Sequence, residues 1–121
     1  MKILVVDDMP SMRSVICHIL DDIGFSDVAQ AADGVQALKM LESSKFDFVI
    51  SDWNMPNMNG QELLDNIKNS SQLKHIPVLM VTAETEKNIV VSAVKSGVNA
   101  YIVKPFSPQQ LQEKMAIIFP D

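Results

Sequence analysis

The stretch KILVVDDMPSMRSVICHILDDIG, residues 2–24, changes its hydrophobic period partway along. Residues 2–6 are a short apolar run rich in β-branched side chains, the pattern of a strand buried on both faces of a parallel sheet. Beyond the acidic pair Asp7 and Asp8, the residues Met12, Val15, Ile16, Ile19, Leu20 and Ile23 recur at helical spacing and predict a helix with one apolar stripe. Pro10 suits the first turn of that helix, where an N–H has no intrahelical partner, and Gly24 suits its stop. The segment reads as a strand, an acidic turn and a helix, and the fold depends on whether that unit repeats.

The alternation of strand and helix recurs four more times, with no repeat of the sequence itself. DVAQAA (residues 27–32) is a weaker strand, and Asp33 and Gln36, at capping-box spacing, introduce a helix facing inward with Ala37, Leu38 and Leu41. FDFVIS (46–51) is a third strand; Asn59 and Glu62 look like a cap, followed by Leu63, Leu64 and Ile67. PVLMV (77–81) is a fourth strand, with Pro77 at its entry where no ladder bond is needed. A fourth helix carries Ile89, Val90, Ala93 and Val94 and ends at Gly97. AYIV (100–103) is a fifth strand; Ser107, Pro108 and Gln110 open a last helix with Leu111, Met115 and Ile118 inward. Alternating strands and helices predict an α/β fold, a doubly wound parallel sheet covered by helices on both faces.

The totals agree with one small domain spanning residues 1–121. At 121 residues the chain can bury a single core, and 47% apolar with 21% charged residues is ordinary globular composition. A net charge of −5 with no basic cluster argues against nucleic acid, and no apolar run is long enough for a bilayer. The N-terminus reaches an acidic pair too soon for a signal peptide, and one cysteine, Cys17, permits no internal disulfide and no thiolate metal set. A reducing, cytoplasmic compartment is expected. His18 and His75 are read as solvated, with no third ligand to suggest zinc.

Chemistry in such sheets gathers beyond the carboxyl ends of the strands. Asp7 and Asp8 follow the first strand, Asp52 the third, Thr82 the fourth, and Lys104 with Pro105 the fifth. Singly these are ordinary turn, cap and surface residues. Together, three carboxylates on one rim repel one another and raise one another's pKa, which a hard divalent cation such as Mg²⁺ relieves. With Mg²⁺ and Lys104 present the local sign reverses, and a phosphoryl group can be held by its oxygens. Asp7 and Asp8, adjacent on a loop, suit metal binding. Asp52, alone at the end of a central strand, suits nucleophilic attack on phosphorus. Thr82 can donate to a phosphoryl oxygen and Lys104 can pair with another.

Those residues, in that order, resemble the response-regulator receiver domains over essentially the whole chain. The likeness is carried by Asp7–Asp8, by Asp52 with Pro56 and Gly60 after it, by Thr82–Ala83, and by Lys104–Pro105–Phe106. It is strongest toward the chemotaxis members of the family, through FVISDWNMPNMNG, PVLMVTAE and the KPF after YIV. The resemblance implies a flavodoxin-like five-stranded sheet of order 2-1-3-4-5 with five helices. It implies Asp52 as phosphoacceptor, with Asp7, Asp8, Asp52 and the backbone carbonyl of Asn54 around Mg²⁺. Thr82, Lys104 and Tyr101 are the implied phosphoryl sensors and switch, and the Lys104–Pro105 bond is implied to be cis. Asn54 and Glu84 stand where dephosphorylation is tuned, in the form usual for short-lived phosphoryl groups. The implied output face, on helix four, strand five and helix five, includes Thr85, Val90, Tyr101, Val103, Lys114 and Ile117. The implied partners of this monomer are a sensor histidine kinase (CheA-like), the flagellar motor switch protein FliM and an accessory phosphatase, with no output domain, nucleic acid or membrane. Beyond its own phosphorylation and dephosphorylation no enzymatic turnover is implied.

Three positions depart from the chemotaxis pattern. Met9 stands where an aromatic is usual, Thr85 where alanine is frequent, and Ile117 where a lysine is typical. The last two lie on the implied output face, and losing a cation weakens pairing with an acidic peptide. They leave room for an additional chemotaxis-type regulator with a non-motor partner or a phosphate-sink role. Two other classes fit less well. A Mg²⁺-dependent aspartate-nucleophile phosphatase expects a second aspartate two residues after the first, where Asn54 stands. A flavin carrier expects a hydroxyl- and glycine-rich loop after the first strand, where DDMPSMR is acidic.

Overall fold

The computed structural model describes residues 1–83 and 87–120, excepting the side chains of residues 87–90. Five strands and five helices alternate: β1 (Ile3–Val6), α1 (Pro10–Asp22), β2 (Val28–Ala31), α2 (Gly34–Ser43), β3 (Phe48–Asp52), α3 (Gly60–Lys68), β4 (Val78–Ala83), α4 (Lys87–Lys95), β5 (Ala100–Lys104) and α5 (Pro108–Ile118). The strands form one parallel sheet in the order β2-β1-β3-β4-β5, as the resemblance implied.

Because side chains alternate along each strand, the sheet divides the apolar core into two layers. Leu4, Val6, Val49, Val78 and Met80 face α2, α3 and α4, where Ala37, Leu41, Leu63, Leu64, Ile67 and Ala93 meet them. Ile3, Val5, Phe48, Ile50, Leu79, Val81 and Ile102 face α1 and α5, packing on Ile16, Ile19, Leu20, Leu111 and Met115. Strands buried on both sides are why the sequence shows unbroken apolar runs instead of alternation.

The predicted caps are present. Asn59 with Glu62 and Ser107 with Gln110 each form a full capping box. At α2 the Asp33 side chain accepts from the Gln36 N–H, but Gln36 reaches one residue further back, to the N–H of Ala32 at 2.5 Å. Gly24 and Gly97, both at positive φ, mark the ends of α1 and α4, where three N–H groups return to carbonyls of the last turn in each case. The apolar stripes are narrower than the periodicity suggests. Val15 on α1 is 50% exposed and Val94 on α4 is 58% exposed, since each helix covers the sheet with only part of its apolar circumference. A polar clasp joins α3 to α4: Gln61 donates to Ser96 Oγ and accepts from Ser92 Oγ at 2.8 Å. No helix among the described residues is long and apolar enough to cross a membrane.

Candidate functional site

The register of the sheet assembles the site. Val6 lies level with Ser51, Asp52 with Val81, and Thr82 with Val103. Each next residue, Asp7, Thr82 and Lys104, therefore emerges on the same rim. Sequence reading placed Asp52, Thr82 and Lys104 after their strands; they are the last or next-to-last strand residues, so ladder bonds hold their backbones. Asp7, just beyond β1, continues the ladder through its N–H to the Ala31 carbonyl.

Asp7, Asp8 and Asp52 bring carboxylate oxygens within 4.8 Å of one another. Lys104 Nζ lies 3.3 Å from Asp52 Oδ1 and 3.6 Å from Asp7 Oδ2. Asp52 Oδ1 also accepts the Trp53 N–H at 2.9 Å, which leaves Oδ2 as the carboxylate oxygen outside these bonds. Asp7 is 1% exposed, and its Oδ1 accepts the Met9 N–H at 2.9 Å. Arg13 fixes the same turn by donating to the Asp7 backbone carbonyl at 2.6 Å. Burial, then repulsion from Asp7, pushes the Asp52 carboxyl above the usual carboxylate range, against the pull of Lys104 and the Trp53 N–H.

Two buried polar atoms, Asp7 Oδ2 and Thr82 Oγ1, find no hydrogen-bond partner among the described residues, although Thr82 is 0% exposed. Orphaned oxygens at a cluster of oxygen donors are what a hard cation and a phosphoryl group would satisfy, so the residues present fit Mg²⁺. The loop after β3 is pinned close to this rim. Gly60 donates to the Trp53 carbonyl at 2.8 Å, and a Cβ on Gly60 would meet the Asp52 carbonyl oxygen at 2.5 Å and Trp53 Cα at 2.8 Å. Glycine is required there because α3 starts against the backbone of the strand end.

The remaining sequence-predicted positions are placed as follows. Asn54 is exposed on the loop, Met9 is exposed beside the acidic pair, and the Lys104–Pro105 bond is cis. Tyr101 is half-buried, with Lys114 Nζ 5.4 Å over its ring. Val103 is half-buried on the same strand, and Ile117 is 65% exposed. Glu84, Thr85 and the side chain of Val90 lie outside the described residues. His18, paired at 3.4 Å with Asp22, and His75 are exposed and apart from the rim. Cys17 is half-buried, and burial pushes its thiol up, away from reactivity. Arg13 was missed by the sequence reading; it sits one turn into α1, and nothing in its spacing announces a bond back to Asp7.

A parallel sheet with an acidic pocket, a cation and a buried hydroxyl at its carboxyl end defines a class of protein. Residues 3–116 match the model of the response regulator receiver domain, and the chain belongs to that family of signalling domains. It is 51% identical to the chemotaxis protein CheY of Pseudomonas aeruginosa over 98% of this chain and 96% of that one. Among solved structures it resembles the chemotaxis response regulator CheY4 of Vibrio cholerae, with a TM-score of 0.86 and 39% identity over 94% of each chain. It also resembles the receiver domain of a Pseudomonas aeruginosa sensor histidine kinase, solved with a magnesium ion coordinated in its active site cleft. That likeness has a TM-score of 0.89 and 27% identity over 99% of this chain and 98% of the other.

Proposed function

We propose that this chain is a phosphorylation-dependent switch of a chemotaxis-like two-component system, with Asp52 as the phosphoacceptor. The observation that carries the reading is the placement of Asp52 between Asp7, Asp8 and Lys104, with the orphaned Thr82 hydroxyl on the same rim. Asp7, Asp8, Asp52 and the Asn54 carbonyl would hold Mg²⁺, which supplies charge neutralisation of the carboxylates and of the phosphoryl oxygens. Asp52 Oδ2 attacks the phosphorus of a phosphohistidine on a sensor kinase. The new P–O bond forms as the P–N bond breaks, and the electron pair leaves on the imidazole. Lys104 pairs with one phosphoryl oxygen, and Thr82 turns its hydroxyl from an unpartnered state to donate to another. Return to the resting state is attack of water on the same phosphorus, cleavage of the P–O bond and release of phosphate, with Asn54 and Glu84 tuning its rate.

The message is a population shift: the phosphoryl group adds hydrogen bonds available in only one arrangement of Thr82 and Tyr101. A partner reading Thr85, Val90, Tyr101, Val103, Lys114 and Ile117 binds that arrangement better. The flagellar motor switch protein FliM is the partner proposed first, with a CheA-like kinase upstream. Exposed Ile117 and Val94 make this face more apolar than an acidic peptide requires, which favours a second reading as an additional regulator with a non-motor partner.

Intact mass after incubation with acetyl phosphate and Mg²⁺ tests the chemistry. A phosphoryl adduct absent from Asp52→Asn supports it, and an unchanged adduct in that variant overturns it. Steady phosphate release from varied esters would point to a phosphatase instead. Capture of FliM by the beryllofluoride–Mg²⁺ form, and not by the metal-free form, separates the motor reading from the non-motor one.

A further inference from the structure

We infer that Asp33, at the start of α2, is a positioning residue for the phosphoryl site and acts through Asn57. The inference rests on the functional reading above, in which the loop carbonyl of Asn54 faces the metal.

The loop of residues 53–59 contains a three-residue turn. The Met58 N–H donates to the Pro56 carbonyl at 2.7 Å, which places Asn57 at its centre with φ 67°, the one positive φ at a non-glycine among the described residues. That conformation is costly for an L-residue and persists where the surroundings determine it. Here the surroundings are the first residues of α2. Asn57 Nδ2 donates to Asp33 Oδ2 at 2.7 Å, and the Gly34 N–H donates to the Met58 carbonyl at 3.1 Å. The approach is so close that a Cβ on Gly34 would lie 2.7 Å from the Met58 carbonyl oxygen. Asp33 Oδ1 meanwhile accepts the Gln36 N–H at 2.8 Å, so one carboxylate closes α2 with one oxygen and holds the loop with the other.

The loop thus has three fixed points: the strand end at Asp52, the Gly60 N–H on the Trp53 carbonyl, and the Asp33 brace. Asn54 lies between the first and the last. Asp33 is not among the three clustered carboxylates, so its effect on the site is mechanical. Without the brace the turn relaxes and the Asn54 carbonyl loses its fixed direction, while Asp52, Asp7 and Lys104 stay where the sheet holds them.

The test is exchange of donor and acceptor. Asp33→Asn keeps an N-cap acceptor, and Asn57 can turn its amide oxygen toward the new donor, so this variant keeps a brace. Asn57→Asp sets two carboxylates together, and the double variant restores a donor–acceptor pair with the roles reversed. Asn57→Gly removes the side-chain brace without adding strain or charge, and leaves the turn free to relax. Mg²⁺ titration followed by Trp53 fluorescence, and thermal unfolding with and without Mg²⁺, give the affinities. Asn57→Asp and Asn57→Gly should each weaken Mg²⁺ about 10-fold, the low end for outer partners of metal ligands; Asp33→Asn should bind Mg²⁺ as the wild type does, and the double variant should recover. Weakening by Asn57→Asp is decisive, because an added negative charge alone would tighten a cation. Tighter binding in Asn57→Asp, unchanged binding in Asn57→Gly, or no recovery in the double variant overturns the inference. A wild-type protein with no Mg²⁺ response overturns the functional reading itself, a different result from equal responses in all variants.

Discussion

Replacing Asp52 with asparagine should stabilise the metal-free protein. Burial is the largest cost of the Asp52 charge and Asp7 the next. Desolvation of a carboxylate costs several kcal/mol. An Asp7 oxygen no further than 4.8 Å away adds repulsion of about 3.5 kcal/mol at an effective dielectric constant of about 20. Lys104 at 3.3 Å returns about 5 kcal/mol on the same scale, and the Trp53 N–H a little more. Asp8 is exposed, so its repulsion is largely screened. The balance leaves a penalty of about 1–3 kcal/mol, the same sign as the raised pKa. The amide of the variant would keep an oxygen for the Trp53 N–H without the charge. At pH 7.5 with EDTA, urea unfolding followed by circular dichroism should show the Asp52→Asn midpoint about 1 M higher, for a slope of about 1–3 kcal/mol per molar.

The pH dependence follows from linkage. The folded protein holds the Asp52 proton more tightly than the unfolded chain. The group's favourable contribution is therefore complete below the unfolded pKa and is lost as pH rises through the raised folded pKa. The advantage of Asp52→Asn should shrink on acidification through that window. A lower midpoint for the variant, or a difference independent of pH, would refute the electrostatic reasoning.

Other substitutions probe the scaffold. Gly60→Ala forces a Cβ into the Asp52 carbonyl and Trp53, and should cost about 1–3 kcal/mol in chemical denaturation, despite alanine's better helix propensity. Thr82→Val removes a buried hydroxyl without a partner among the described residues; the resting protein should gain about 1 kcal/mol while its beryllofluoride response, read by Trp53, falls. Ile67→Ala, at a fully buried position in the layer under α3, should lose about 2–5 kcal/mol with no selective effect on Mg²⁺ affinity.

Much of this was legible in the sequence because it is local. The strand–helix alternation, the caps at Asn59 and Ser107, and the strand-end positions of Asp7, Asp52, Thr82 and Lys104 all depend on neighbours within a few residues or on a rule about parallel sheets. Strand order was implied only by resemblance, since no residue pattern states which strand lies beside which. Val15 and Val94 match helical spacing yet face solvent, because periodicity gives a direction and not the width of the surface to be covered. The Asp33–Asn57 bond joins residues 24 apart, and the bond from Arg13 to Asp7 uses a backbone acceptor. Neither leaves a periodic trace. At Asp33 the capping signal was correct, but it concealed the carboxylate's second oxygen.

The two apolar layers have a consequence for mutational coupling. Leu64 and Ile67 share one layer, while Ile16 and Leu20 share the other, and the sheet backbone stands between. Two truncations within a layer let the same neighbours relax, so their costs interact. One truncation on each side has no side chain in common to relax, and the costs should simply add to within a few tenths of a kcal/mol. Phe48 and Val49, consecutive on β3, belong to different layers, so the residue-by-residue alternation of the strand marks the seam between two packing problems that meet only through the backbone.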